Sequence, residues 1–350
     1  IAVATGRAAE MGLLFRKGTA LEALARADTV VLDKTGTLTR GKPTLVRVLP
    51  FGLSQEEALR LAAALERGSE HPLAKAVLEA AESLPQAQAE EVRALPGEGV
   101  EGRVEGRRLH LGGPALMERL GVPLPEEAKA LPEEGYTPLY LVEGTRLLAA
   151  FAVFDPPRPE AQEAVAALKA LGLKLVLLTG DHPAPARRVA EALGIPEVLA
   201  GVRPEGKVEA IRRLQAEGRK VVFVGDGIND AAALAQADVG LAMGSGTDIA
   251  LEAGDVVLLT PDLRGVVNAV RLARRTLRTI YLNFFWAYAY NVVLIPVAAG
   301  ALYPFTGLLL NPMLAAAAMS LSSLFVLTNS LRLRAFRPQA LPSLNPAASS

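Results

Sequence analysis

The stretch Val30-Val31-Leu32-Asp33-Lys34-Thr35-Gly36-Thr37-Leu38-Thr39 decides the fold. A short β-branched run ending in a carboxylate and then a glycine reads as a buried parallel strand. Such a strand delivers Asp33 at its carboxyl end, where open α/β sheets place their chemistry. Thr35, Gly36 and Thr37 add hydroxyls, backbone N–H groups and a flexible turn around one anionic centre, a fit for a phosphoryl group with Mg²⁺. Asp33 is the candidate nucleophile, forming an aspartyl phosphate. A lone aspartate at a strand end is more often a turn residue or a helix cap, so the weight rests on the seven residues Asp33 to Thr39 together.

Two later strands are expected to end at the same edge. From about residue 151 to 262 apolar strands alternate with amphipathic helices, the signature of a doubly wound parallel sheet. Leu175 to Leu178 runs into Thr179-Gly180-Asp181, and Val221 to Val224 runs into Gly225-Asp226-Gly227-Ile228-Asn229-Asp230. Asp226 with Asp33 can hold Mg²⁺, which neutralises phosphoryl charge and lets a carboxylate approach an anion. Thr35 joins that metal shell, and Asn229 and Asp230 orient it. Thr179 and the backbone at Gly180 can donate hydrogen bonds to the equatorial oxygens of a transition state. Taken singly, each aspartate reads equally well as a turn carboxylate, and Lys207 as a solvated helix residue.

Between these segments the composition changes. After Arg40-Gly41-Lys42-Pro43, helices rich in Ala, Leu and Glu give way to glycine-punctuated strands, and an inserted domain is expected over residues 49–150. Ser69-Glu70-His71-Pro72-Leu73-Ala74 opens a helix with Pro72 in its first turn, and Glu66 stands five residues before His71. Gly97-Glu98-Gly99-Val100 begins a strand region where two glycines let backbone come close to a planar ligand. Either feature alone is weak: a histidine before a helix is commonly a cap, and Gly-x-Gly recurs widely. His110 reads as an exposed strand residue. The insert closes near Phe151 to Phe154, and Asp155-Pro156-Pro157-Arg158-Pro159-Glu160 looks like the return hinge.

The whole chain has 350 residues, 51% of them hydrophobic, with 37 basic against 37 acidic side chains. That is enough for two soluble cores with apolar sequence to spare, and no charge bias points to nucleic acid as a partner. The absence of cysteine rules out disulfides and thiolate metal ligands within the chain. Arg7 and Glu10 interrupt the first apolar residues, so the opening segment does not read as a signal peptide; a fragment or processed product is expected.

Past Pro261 the character changes again. Arg264, Arg271, Arg274, Arg275 and Arg278 precede a stretch from Thr279 to Leu331 with no Asp, Glu, Lys, Arg or His. It is long enough for two membrane helices, which need roughly 20 apolar residues each, joined at Tyr303-Pro304-Phe305-Thr306-Gly307. With Arg332, Arg334 and Arg337 following, both basic flanks are expected on the cytoplasmic side of a lipid bilayer. Asn283, Tyr290, Asn291, Ser320, Ser322, Ser323 and Asn329 stand out in that apolar stretch, and helix-packing hydrogen bonds explain them as readily as function does. Pro296 could bend the first helix. Met319 offers a soft thioether, which favours Cu(I) or Ag(I) over a harder divalent ion, although methionine is more often a core filler.

These motifs, in this order, resemble the heavy-metal P-type ATPases, specifically their copper(I)-transporting branch. Asp33 to Thr39 matches the family's phosphorylation signature. The resemblance implies a haloacid dehalogenase-like doubly wound sheet with an inserted α+β nucleotide-binding domain and a carboxyl-terminal two-helix membrane hairpin. Its expected segments are a stalk (1–27), a phosphorylation domain in two parts (28–48 and 151–268), the nucleotide-binding domain (49–150), the hairpin with basic flanks (269–333) and a disordered tail (334–350). It implies that Glu66 and His71 address the adenine of ATP while Gly97 and Gly99 line the pocket, and that Lys207 sets a fixed positive charge beside the phosphate. It also implies that Tyr290, Asn291, Met319 and Ser323 line the path of Cu(I), with a copper chaperone as a partner and a multi-pass membrane location. Thr35 stands where related phosphatases carry an acid/base aspartate, which predicts slow hydrolysis of the intermediate. Two positions depart from the family pattern: Gly112-Gly113 replaces Gly-Asn, and Thr179-Gly180-Asp181 is followed by His182 rather than Asn.

Overall fold

The computed structural model describes residues 2–227, 230–244, 254–298 and 312–336. In chain order its strands are β1 (Leu13–Phe15), β2 (Thr29–Asp33), β3 (Thr44–Pro50), β4 (Ala89–Leu95), β5 (Gly99–Val104), β6 (Arg107–Gly112) and β7 (Thr137–Glu143). They continue with β8 (Arg146–Phe154), β9 (Lys174–Leu178), β10 (Glu197–Leu199), β11 (Val221–Asp226), β12 (Val239–Met243) and β13 (Val256–Leu258). Its helices are α1 (Ala2–Glu10), α2 (Gly18–Arg26), α3 (Gln55–Glu66), α4 (Pro72–Ala80), α5 (Pro114–Leu120) and α6 (Glu126–Lys129). Then come α7 (Ala161–Ala170), α8 (Pro183–Leu193), α9 (Lys207–Ala216), α10 (Ala231–Gln236), α11 (Arg264–Ala298) and α12 (Pro312–Leu331). The chain divides into two compact units, one of Ile1–Val31, Glu163–Leu175 and Lys207–Ser350, the other of Leu32–Gln162 and Val176–Gly206.

In the first unit β1, β13, β12, β11 and the start of β2 lie side by side in that order. β11, β12 and β13 are parallel, and β1 closes the edge antiparallel to β13 with Leu14 opposite Val257. Val221 to Val224 are wholly buried, which is why this strand reads as an unbroken apolar run rather than an alternation. The N–H groups of Asp28 and Thr29 both donate to the carbonyl of Lys220, at 3.1 and 3.2 Å. Residues 1–27, expected as a plain stalk, contain the edge strand β1. Three residues are too few for a strand period to show in sequence. Helix α2 buries Ala20, Leu21 and Leu24 and packs on α11, where Arg26 donates to the Tyr281 hydroxyl at 2.6 Å.

The second unit holds a six-stranded antiparallel sheet in the order β3-β8-β7-β6-β5-β4. Side chains alternate between two cores: Leu139 and Leu141 of β7 join α3 and α4, whereas Tyr140 and Val142 join Leu116 and Met117 of α5. Burial on both faces accounts for the apolar runs Pro138 to Val142 in β7 and Leu147 to Val153 in β8, while Glu143 and Arg146 stand at the strand ends. The Tyr140 hydroxyl donates to the carbonyl of Ala128 at 2.9 Å, and burial pushes its pKa up to about 12. The sheet takes in all of Thr44–Pro50 and Arg146–Phe154, past the expected limits of 49 and 150. The same unit carries the end of β2 with β9 and β10, the last two parallel with Val198 opposite Leu177.

Helices α11 and α12 occupy the stretch expected to form the hairpin. No helix among the described residues is long and apolar enough to cross a membrane. In α11 five arginines occupy the first turns, and Tyr281, Asn283, Tyr288, Tyr290 and Asn291 interrupt the apolar remainder. The turn expected at 303–307 and the tail from residue 337 lie outside the described residues. What is described carries an exposed apolar surface: Phe284, Phe285, Tyr288 and Val293 on α11, and Leu321, Leu324 and Leu327 on α12.

Candidate phosphoryl-transfer site

All five residues of β2 are buried, and Asp33 at its end is 5% exposed. Directly after it Thr35 (φ −75°, ψ 122°) and Gly36 (φ 80°, ψ −6°) form a type II turn. That turn needs a positive φ at its second central position, so glycine is required at 36 by backbone geometry. The turn closes through the Thr39 N–H, which donates to the carbonyl of Lys34 at 3.0 Å. Thr35 is exposed, whereas Thr37 and Thr39 are buried.

Thr39 organises the far end of the turn. Its hydroxyl accepts from the Gly36 and Gly41 N–H groups at 3.3 and 3.4 Å and bonds the Asp155 carboxylate at 2.7 Å. Pro157 forms an antiparallel bridge with Thr39, and the Arg158 N–H donates to the carbonyl of Leu38 at 2.7 Å. The Arg158 guanidinium donates from Nε to the Thr37 carbonyl at 2.8 Å and from Nη2 to the Gly36 carbonyl at 3.3 Å. Sequence gave no sign of these contacts, because Asp155-Pro156-Pro157-Arg158 reads only as a hinge.

Thr179 directly follows β9, 1% exposed, with its hydroxyl accepting from the Asp181 N–H at 3.1 Å. Gly180 is exposed, and an added Cβ there would lie 3.2 Å from the Val202 carbonyl oxygen. Lys34, itself buried, forms an ion pair with Asp181, which ties the turn after β2 to the turn after β9. His182 caps α8: its Nδ1 accepts from the Ala184 N–H at 3.3 Å. Asparagine is a strong cap at such a position, so the departure from the family pattern preserves the local bond.

In the other unit Lys207 opens α9, and its Nζ lies 2.8 Å from Asp230 Oδ1, with Asp230 2% exposed. The second Asp230 oxygen accepts from the Asp226 N–H at 3.1 Å. Asp230 therefore braces both the lysine and the backbone that carries Asp226, whose side chain is half-buried. Asn229 lies outside the described residues. Within this unit Asp226 and Asp230 offer oxygen donors alone, the chemistry a hard ion such as Mg²⁺ takes.

The four expected nucleotide residues come from one unit. Glu66 ends α3 beside Leu65, and Leu65 Cδ2 packs within 3.0 Å of where a Cβ on Gly102 of β5 would stand. Glu66 is 9% exposed, and burial pushes its carboxyl up to about 7. His71 caps α4, its Nδ1 accepting from the Leu73 N–H at 3.2 Å, so the bland reading holds for one nitrogen and leaves Nε2 as the ring donor. A Cβ on Gly97 (φ 74°) would meet nothing within 4 Å. One on Gly99 would stand 2.1 Å from the Leu111 carbonyl oxygen, and one on Gly112 opposite would stand 2.2 Å from the Glu98 carbonyl oxygen. Gly112 is thus required by close backbone approach, and Gly113 sits at the open cap of α5 where an asparagine side chain would have room. His110, expected to be exposed, is half-buried and pairs with Glu101 at 2.9 Å.

On the helix pair Tyr290 is half-buried, and Asn291 and Ser323 are exposed. Ser323 shares an open groove with Ser320, Leu324 and Leu327. Met319 lies on α12, and its side chain is outside the described residues. Asn283 and Asn329 serve helix packing: Asn329 donates to Asn283 Oδ1 at 2.8 Å, and Asn283 donates to Ser330 Oγ at 3.0 Å.

A parallel sheet that carries a buried carboxylate to a strand end, with a second antiparallel domain inserted just after it, is the architecture of a capped phosphoryl-transfer hydrolase. The family model for haloacid dehalogenase-like hydrolases matches residues 27–238, and the chain belongs to that family. It is 51% identical over 344 residues to copper-transporting ATPase 1 of Rhizobium meliloti (strain 1021), which covers 97% of this chain and 42% of that protein. A zinc-transporting PIB-type ATPase solved in its E2.Pi state superposes with a TM-score of 0.75 at 38% identity, over 95% of this chain and 54% of that one. The catalytic domain of the CPx-ATPase CopB-B gives a TM-score of 0.61 at 29% identity, over 77% of this chain and 98% of that domain. The resemblance to copper-transporting P-type ATPases is thereby borne out, and the chain spans less than half the length of the curated relative it matches.

Proposed function

We propose that this chain supplies the ATP-binding and phosphorylation machinery, with two helices of the metal path, of a P-type ATPase that exports Cu(I) or Ag(I). The observation that carries the reading is Asp33, 5% exposed at the end of a wholly buried strand and followed at once by a glycine-dependent turn. An Asp33 oxygen attacks the γ-phosphorus of ATP, the bond to the β,γ-bridging oxygen breaks, ADP leaves with that electron pair, and an acyl phosphate remains. The Thr179 hydroxyl, the Gly180 N–H and Lys207 offset charge on the equatorial oxygens. Mg²⁺, held by Asp33 and Asp226 with the Thr35 backbone, would neutralise the phosphoryl group, while Asn229 and Asp230 order its surroundings. At the adenine end His71 Nε2–H donates to a ring nitrogen, Glu66 stands beside it, and the open face at Gly97 admits the base. Thr35 in place of a carboxylate leaves no side chain to activate water two residues past the nucleophile.

For the cargo, the names of the curated relatives favour copper, and Thr279 to Leu331 contains no carboxylate or histidine that a divalent ion would prefer. Tyr290, Asn291, Met319 and Ser323 would line its path through the bilayer, with the two units cytoplasmic and a copper chaperone delivering the ion. A zinc pump is the second reading, favoured by the superposition on a zinc transporter. Acid-stable, hydroxylamine-sensitive label from γ-³²P-ATP with Mg²⁺ is expected on the intact chain and absent from Asp33→Asn, a loss of more than about a thousandfold in rate. An intact, ATP-binding chain without label would reduce it to a nucleotide-binding module, and label surviving the substitution would mean a different nucleophile.

A further inference from the structure

We propose that Arg158, on the segment returning from the inserted domain, is a positioning residue that holds the turn after Asp33 in the form from which it attacks. The proposal rests on the reading of Asp33 as nucleophile for its kinetic half and on geometry alone for its structural half.

The guanidinium spans two consecutive carbonyls of the turn, Gly36 at 3.3 Å and Thr37 at 2.8 Å, with its own backbone N–H on a third, Leu38, at 2.7 Å. A peptide unit is planar and trans, so a carbonyl fixed towards Arg158 turns the N–H of the same unit to the opposite side. Holding the Gly36 and Thr37 carbonyls therefore sets the directions of the Thr37 and Leu38 N–H groups, while the peptide before Gly36, whose flip would take Gly36 out of its positive φ, is held through its N–H by the Thr39 hydroxyl at 3.3 Å. Gly36 needs such a restraint, because glycine populates positive and negative φ about equally and has no preference of its own for the turn. The second anchor is the Asp155 carboxylate on the Thr39 hydroxyl at 2.7 Å, which fixes the other end of the turn from the same returning segment. Lys34, inside the turn, is tied separately to Asp181, so a turn freed from Arg158 pulls on that pair as well.

The fork geometry makes the conservative change informative. Lysine offers a point charge and cannot span two carbonyls as a planar guanidinium does. In Arg158→Ala the rate of Asp33 phosphorylation is expected to fall ten- to a hundredfold while the ATP concentration for half-saturation moves less than about threefold. Arg158→Lys recovers part of the rate, and the backbone N–H to Leu38 survives both changes. Hydrogen exchange of the amides in residues 34–39 should quicken at least tenfold in Arg158→Ala, with protection in β7 and β8 unchanged.

Wild-type phosphorylation rate in Arg158→Ala, or a loss of ATP affinity with the rate intact, overturns the proposal. So does faster exchange throughout the chain, which marks a general structural role. If Arg158→Ala does not fold, Arg158→Gln keeps one donor and the same two measurements decide on it. If the wild-type chain takes no label, the reading of Asp33 fails, and the exchange at residues 34–39 still decides whether Arg158 holds the turn.

Discussion

The turn after Asp33 and the helix pair α11–α12 both place polar groups among apolar neighbours, and they hold them by opposite means. In the turn the bonded groups are mostly backbone: the carbonyls of Lys34, Gly36, Thr37 and Leu38, each met by a donor of the same unit. Between the helices the bond runs through side chains alone, from Asn329 to Asn283 to Ser330. Backbone geometry leaves few residues able to occupy a position, whereas a side-chain bridge can be rebuilt from other polar residues. That difference explains why the phosphorylation site announces itself in sequence and the helix interface does not.

The comparison breaks first at the glycines. If close backbone approach shapes the second unit, Gly112→Ala should cost at least about 3 kcal/mol, because its Cβ would fall 2.2 Å from the Glu98 carbonyl oxygen and 2.6 Å from Leu116 Cδ2. Urea unfolding of the variant measures this, and an unchanged midpoint would mean that β5 and β6 can part without loss. A smaller effect is expected at Glu66, a carboxyl kept in an apolar setting without a partner bond. Its pKa rises on folding to about 7, so the stability it contributes is complete below the unfolded value near 4.5 and is lost as pH rises through 7. The stability gained by Glu66→Gln over the wild type should then be larger at pH 8 than at pH 5 by about 2.5 kcal/mol. Thermal melts at the two pH values test it, and a gain equal at both would remove titration as the cause. Smallest is Asn283→Ala in the helix pair, expected to cost about 0.6 to 1 kcal/mol. An effect larger than that of Gly112→Ala in unfolding titrations of the same detergent-solubilised chain would reverse the ranking of the two regions.

What sequence made legible follows the same division. β2, β9 and β11 are announced by continuous apolar runs and by the small or acidic residues that end them, and the opening of α9 at Lys207 by the Pro-Glu-Gly before it. The capping roles of His71 and His182 were half legible, since a residue before a proline that begins a helix is a natural cap. β1 was not, because three residues show no period and its partner β13 lies more than two hundred positions away. Arg158 and Asp155 were missed for a like reason: their bonds reach residues 116 to 122 positions earlier, and nothing local in Asp-Pro-Pro-Arg distinguishes a strap from a spacer. Of the pair Gly112-Gly113 only Gly113 departs from the family's Gly-Asn, and the necessity of Gly112 is set by the Glu98 carbonyl across the sheet, which no local pattern shows.

The returning segment also bears on modularity. The antiparallel domain enters after Thr39 and leaves before Asp155, and the two crossing points are bonded to each other through Thr39 and Asp155 and through Leu38 and Arg158. A chimera that exchanges this domain between pumps by cutting at the last strand residue, Phe154, would pair a host turn with a host strap and leave the turn intact. Cutting four residues later would import a foreign strap against a native turn. The tolerance of such grafts to the choice of seam is therefore written into residues 155–158 rather than into the domain being moved.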